Sequence, residues 1–242
     1  MCSALRLSSA AEDAMKLLMT TLTFMLALAI ATEYPAAQRP ERFDYVVRED
    51  FFAGFAGDAA RLAKGMATCE RVLAENPLHA EAMVWHGTGL MVQAGSAFKS
   101  GDQKAGAELW ARGLAETDKA VSLAPNDPGV LIPRAAVLLQ ATRGMPESVS
   151  RPLITSALNN YERVLEIQKD TFQSLGDHPK GELLFGLAEG YARLGDLASA
   201  RRFFERLVAD APQSGQAPRA RTWLESGTLP PVGGLGCVGC HK

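Results

Sequence analysis

Helix-breaking punctuation recurs along this chain and cuts it into helix-length pieces. Asn76-Pro77, Ala124-Pro125-Asn126-Asp127-Pro128, Gly144-Met145-Pro146 and Gly195-Asp196 each interrupt stretches whose apolar residues fall three and four apart. Asp58 is placed to cap a helix carrying Leu62, Met66, Cys69 and Leu73 on one face, and Asn76-Pro77 stops it. The same reading predicts helices over about 80–97, 103–123, 129–143, 151–169, 181–194 and 197–209, and a short one starting near Pro218. No stretch reads as a strand. Ala, Leu, Glu and Arg are abundant and aromatics make up 7% of the chain, which favours an all-α fold. The net charge of −2 offers no nucleic-acid footprint, so no nucleic-acid partner is expected.

The two ends differ from this middle. Lys16 precedes an apolar run from Leu17 to Ile30, and Ala29-Ile30-Ala31 supplies a small-x-small cleavage pattern, so residues 1–31 read as a signal peptide. Met15 makes a better start than Met1, because Glu12 and Asp13 stand where a basic region is expected. The run is shorter than the roughly 20 residues that span a bilayer, so the mature form is expected to be exported, periplasmic or extracellular, with no transmembrane anchor. Residues 32–48, rich in Pro, Arg, Glu and Gln, read as a leader, 49–226 as the helical domain, and 227–242 as a Gly/Pro linker and tail.

Within the helical domain, Leu187-Ala188-x-x-Tyr191, Gly195, Ala200, Phe204, Leu207 and Pro212 resemble the tetratricopeptide pattern, in which small residues let two helices approach and aromatics fill the groove. Ala157-x-x-x-Tyr161-x-x-Val164 and His86-Gly87 fit earlier, weaker units. The resemblance implies an α-solenoid of about four helix pairs. Unit ends at Pro77, Pro125, Lys169 and Pro212 lie further apart than the family's period of about 34 residues, which implies longer loops.

The tail reads Cys237-Val238-Gly239-Cys240-His241-Lys242. Cys-x-x-Cys-His is the attachment motif of c-type cytochromes: two thiols add to the haem vinyl groups and the adjacent His binds iron from one face. The resemblance implies one covalent haem c, with Cys237 and Cys240 as thioethers and His241 as proximal ligand. A zinc site would need a fourth ligand, and no second Cys pair accompanies this one. A dithiol centre would ordinarily open a helix in a βαβ setting, and a Cys237–Cys240 disulfide would leave His241 without a role. Export and the motif together favour haem.

Only Lys242 follows the motif, so this haem is expected to borrow its pocket from upstream helices or from another molecule. The linker of residues 227–236 reaches on the order of 30 Å when extended. His178 is the first candidate for a sixth ligand and His86 the second, from the same or a neighbouring subunit. His79 is read as a residue near a helix start, and Met83, Met91 and Met145 stand behind these. Cys69, Trp85 and Trp110 are expected to fill the core. No catalytic constellation stands out, so enzymatic activity is not expected. The chain resembles exported monohaem repeat proteins, which implies electron transfer with redox partner proteins and a homo-oligomer or head-to-tail polymer. The other reading is a repeat-based protein-binding module or sensor whose haem is structural or gas-binding; five-coordinate iron would mark it.

Overall fold

A computed structural model describes residues 42–229. The signal peptide, most of the leader, and the motif residues Cys237, Cys240 and His241 lie outside the described residues. Those described are helical, with no strand among them: α1 Phe43–Phe55, α2 Ala59–Glu75, α3 Ala80–Lys99, α4 Gln103–Leu123, α5 Pro128–Ala141, α6 Glu147–Ile167, a 3-10 turn Phe172–Ser174, α7 Asp177–Leu194, α8 Leu197–Asp210 and α9 Ala217–Ser226. None is long and apolar enough to cross a membrane.

Local chemistry sets the boundaries. The carboxylate of Asp58 accepts from the backbone N–H of Ala60 and Arg61, and those of Asp102, Asp127 and Asp196 accept from Ala105, Gly129 and Ser199. Each cap satisfies donors that a helix start leaves without partners, a contribution of about 1 kcal/mol. Gly195 closes α7 at φ +90° and Gly227 closes α9 at φ +72°, backbone that a side chain would strain. Two helices begin about four residues earlier than their patterns suggest. The first turn of α7 takes in Pro179, whose missing N–H would have had no helical partner there; α6 starts directly after Pro146.

The helical body also starts earlier than the leader reading places it, at Phe43. Helix α1 buries Phe43, Val47 and Phe51 at steps of four, and Asp50 pairs with Arg61 and Lys64 of α2. The main packing contacts run between helices adjacent in sequence, from α1 with α2 through to α8 with α9, and between the next-but-one pairs α1 with α3, α3 with α5 and α5 with α7. Two apolar clusters result. One joins α1, α2 and α3 with Ala120 and Val130; the other joins α5 to α9 with Met91.

Helices α3 and α7 are the most enclosed. Every residue of α3 from Ala82 to Met91 is buried, as is nearly all of α7 from Lys180 to Gly190. Glycine makes the closest crossing possible. A Cβ on Gly113 would stand 2.6 Å from the carbonyl oxygen of Gly87, and one on Gly87 2.8 Å from that of Gly113, so α3 and α4 touch backbone to backbone.

Candidate functional site

The segment Met83-Val84-Trp85-His86-Gly87-Thr88-Gly89-Leu90 carries a histidine beside two side-chain-free positions. Gly87 admits α4, and Gly89 admits Met66 and Phe51, whose atoms lie 2.9 and 3.0 Å from where a Cβ would be. This double approach traps His86 between α2 and α4 at 5% exposure. Its Nδ1 lies 2.6 Å from Oε2 of Glu116 on α4, and its Nε2 lies 3.4 Å from Oε1 of Glu70 on α2. Arg112, one turn before Glu116, reaches that carboxylate at 3.4 Å.

The electrostatics follow from this clamp. Burial alone would lower the pKa of His86, but the hydrogen bond and charge of Glu116, helped by Glu70, outweigh it and hold the imidazole above its ordinary value. Burial likewise opposes ionisation of Glu116, yet His86 and then Arg112 hold the carboxyl below its ordinary range. The two carboxylates are not equivalent. The Glu116 side chain is 26% exposed and that of Glu70 is 63% exposed, so Glu70 is the partner that water screens and that can leave.

His86 forms part of the floor of a cleft of about 280 Å³. Ala63, Met66, Ala67 and Glu70 of α2 make one wall, Leu109 and Arg112 of α4 the other, with Leu90 and Gln93 of α3 beside the histidine. The lining mixes apolar Ala63, Met66, Ala67, Leu90 and Leu109 with polar Glu70, His86, Gln93 and Arg112. The volume lies below the usual range of about 300–1,000 Å³ for ligand pockets. Among the described residues, no three His, Cys, Asp or Glu side chains are grouped so as to hold a metal ion on their own. The imidazole of His86, with a carboxylate on its other nitrogen, has the arrangement found behind metal-ligating histidines.

The other sequence candidates lie apart from this cleft. His178 is not in a loop but in the first turn of α7, half-buried, next to Pro179. His79 is the N-cap of α3: its Nδ1 accepts from the Ala82 N–H at 3.2 Å, and its ring lies 5.0 Å from that of Phe43. Met83 and Met91 are buried in the two apolar clusters, and Met145 sits half-buried between α5 and α6. Cys69 is a buried free thiol pushed up to about 12, first by burial and then by Glu70. Trp85 packs against Phe51 and Phe52, and Trp110 lies against the larger cluster. Sequence reading singled out His86 but not Glu70 or Glu116. His86 and Glu116 are 30 residues apart, and only the glycine-mediated crossing of α3 and α4 joins them.

The chain matches none of the family models, curated proteins or solved structures with which it was compared.

Proposed function

We propose that this chain is an exported monohaem c-type protein, in which a body of stacked, tetratricopeptide-like helix pairs carries one covalent haem on its C-terminal tail for electron transfer. The observation that carries the reading is Cys237-Val238-Gly239-Cys240-His241 standing behind a signal-like N-terminus. Main packing contacts confined to neighbouring and next-but-one helices are what a stack of helix pairs produces, and they support the repeat interpretation of the body. The stop at Gly227 supports a tail set apart from the body: the left-handed residue ends α9, and Leu229 rests against the larger apolar cluster. When bound, the haem supplies reversible one-electron exchange, and the protein sets its potential through axial ligation and burial. The body contributes surfaces for redox partners and for association of like subunits head to tail.

Expression in a host with c-type maturation machinery tests this reading. A haem that survives denaturing electrophoresis, with sharp low-spin bands in the reduced state, is the expected result, and Cys237→Ala with Cys240→Ala abolishes it. Wild-type protein that is exported and folded but retains no covalent haem refutes the proposal.

A further inference from the structure

A carboxylate oxygen at the start of α3 is shut off from solvent and meets no hydrogen-bonding group of the protein: Oε2 of Glu81. A buried acceptor without a partner costs free energy, and more so when it carries charge. Glu81 is the second residue of α3 and stands where three helices begin. Phe43 opens α1, and its backbone N–H supports the Glu81 carboxylate. Gly129 is the second residue of α5. A Cβ there would lie 3.0 Å from Oε1 of Glu81 and 3.2 Å from Oδ1 of Asp127, the cap of α5, so the two carboxyls crowd the one space that glycine leaves open.

Charge at this meeting point is unbalanced. On α1, Arg42 binds Asp44 at 2.9 and 3.1 Å and Arg48 stands 3.9 Å from it, so both guanidiniums are engaged there. On α3, His79 turns Nδ1 to the Ala82 N–H and its ring to Phe43. Beyond α4, Asn126 accepts from Arg163 of α6 at 2.8 Å. Among the described residues none forms an ion pair with Glu81, and Arg42 acts on it only from a distance. Burial first, then Asp127 and Asp44, hold the Glu81 carboxyl above its ordinary value against the pull of Phe43 and Arg42.

We propose that Glu81 is a proton-operated latch: on acidification Oε2 takes a proton from solvent, the new O–H donates to the Asp127 carboxylate, and α1 is drawn tight against the starts of α3 and α5. As pH returns to neutral the proton leaves, two carboxylates again face each other in a closed space, and the joint loosens. Helix α1 is the element that yields. It packs chiefly on α2 and α3, and its contact with α3 is smaller than that between α3 and α5, so it opens at the lower cost. The Phe43 N–H and Asp44 leave with it, which removes a donor from Glu81 but also a negative charge. This joint is separate from the one at His86, which ties α3 to α2 and α4.

Hydrogen exchange read by mass spectrometry on the full-length protein tests the latch, with each rate expressed as protection relative to the intrinsic rate at that pH. The cost of ionising Glu81 is absent below the ordinary carboxyl value of 4.5 and fully present above the raised one. Protection of α1 peptides therefore falls several-fold as pH rises from 4.5 into the neutral range, while that of α8 peptides falls less. Glu81→Gln keeps the shape and offers Asp127 a donor without a charge. At neutral pH its α1 protection stands several-fold above wild type, and the pH dependence that remains is that of His86 and Glu116. Asp127→Ser keeps a capping oxygen for Gly129 but removes the charge, and it narrows the wild-type fall. Equal α1 protection in wild type and Glu81→Gln at neutral pH, or lower protection in the folded variant, overturns the latch. So does a pH profile that Asp127→Ser leaves unchanged, which decides the matter if Glu81→Gln does not fold. Covalent haem plays no part in these readouts, so failure here leaves the function proposed above standing.

Discussion

Adding one methyl group at Gly113 tests whether the α3–α4 crossing is as close as described. Glycine to alanine inside a helix ordinarily stabilises by about 1 kcal/mol. At Gly113 the new Cβ would meet the Gly87 carbonyl oxygen at 2.6 Å, Met91 Cγ at 2.7 Å and the Met91 backbone nitrogen at 3.1 Å. Two of those three atoms are backbone and cannot rotate away, so the helices must separate. Overpacking of this kind costs about 1–3 kcal/mol, and rigid neighbours place it at the upper end. The net loss is about 2 kcal/mol, a fall in Tm of roughly 4–8 °C for a body of this size. Gly95, on α3 itself, has nothing within 4 Å of its Cβ position, so Gly95→Ala gains the propensity term alone and raises Tm by about 2–4 °C. Urea titrations followed by far-ultraviolet circular dichroism give both values. Stabilisation of similar size at both positions would refute the close crossing, and with it the geometry that brings Glu116 to His86.

Three further outcomes are expected. In the haem-free Cys237→Ala/Cys240→Ala protein, charged His86 stabilises the fold fully below its ordinary pKa of 6.5, and that contribution is lost as pH rises through the raised folded value. Ionised Glu116 contributes above 4.5 and is lost as pH falls through its depressed value. The pair therefore helps most between about pH 4.5 and 6.5, and Glu116→Gln flattens both limbs in urea midpoints measured against pH. Arg143→Ala leaves the buried carboxylate of Glu189 with the more distant Arg193, at 3.8 Å, as an ion partner; the loss is about 2 kcal/mol by denaturant unfolding, below the roughly 3–5 of a fully isolated charge. Cys69, buried and held near 12, resists alkylation at pH 8 in the native protein and labels once urea unfolds the chain, as peptide mass spectrometry reads out.

Much of the helical plan is legible in the sequence, because its signals are local. Asp58, Asp102, Asp127 and Asp196 stand one residue ahead of their helices, and Asn76-Pro77 and Gly195 end theirs. Pro179 falls in the opening turn of α7, where a helix tolerates proline, whereas Pro152 stands six residues into α6, beside the start that the sequence pattern suggests. Helix α1 escaped for another reason. Phe43, Val47 and Phe51 do recur every four residues, but Asp44, Arg48, Glu49 and Asp50 fill the gaps and give the segment the look of a charged leader. Burial of Asp44 and Asp50 depends on arginines and a lysine that bring counter-charge, which no periodicity reports. The cleft was less legible still. His86 drew notice as a packing residue, yet its chemistry resides in carboxylates on two other helices, and their meeting depends on interhelical distances that Gly87, Gly89 and Gly113 permit.

Leu90 and Met91 are neighbours on α3, yet one belongs to the N-terminal apolar cluster and the other to the C-terminal one, and Val121 of α4 packs against both. Cohesion between the two halves therefore passes through a narrow seam rather than a shared core, and a change on one side is felt only weakly on the other. His86 lies on the N-terminal side of that seam, whereas the tail departs beyond α9.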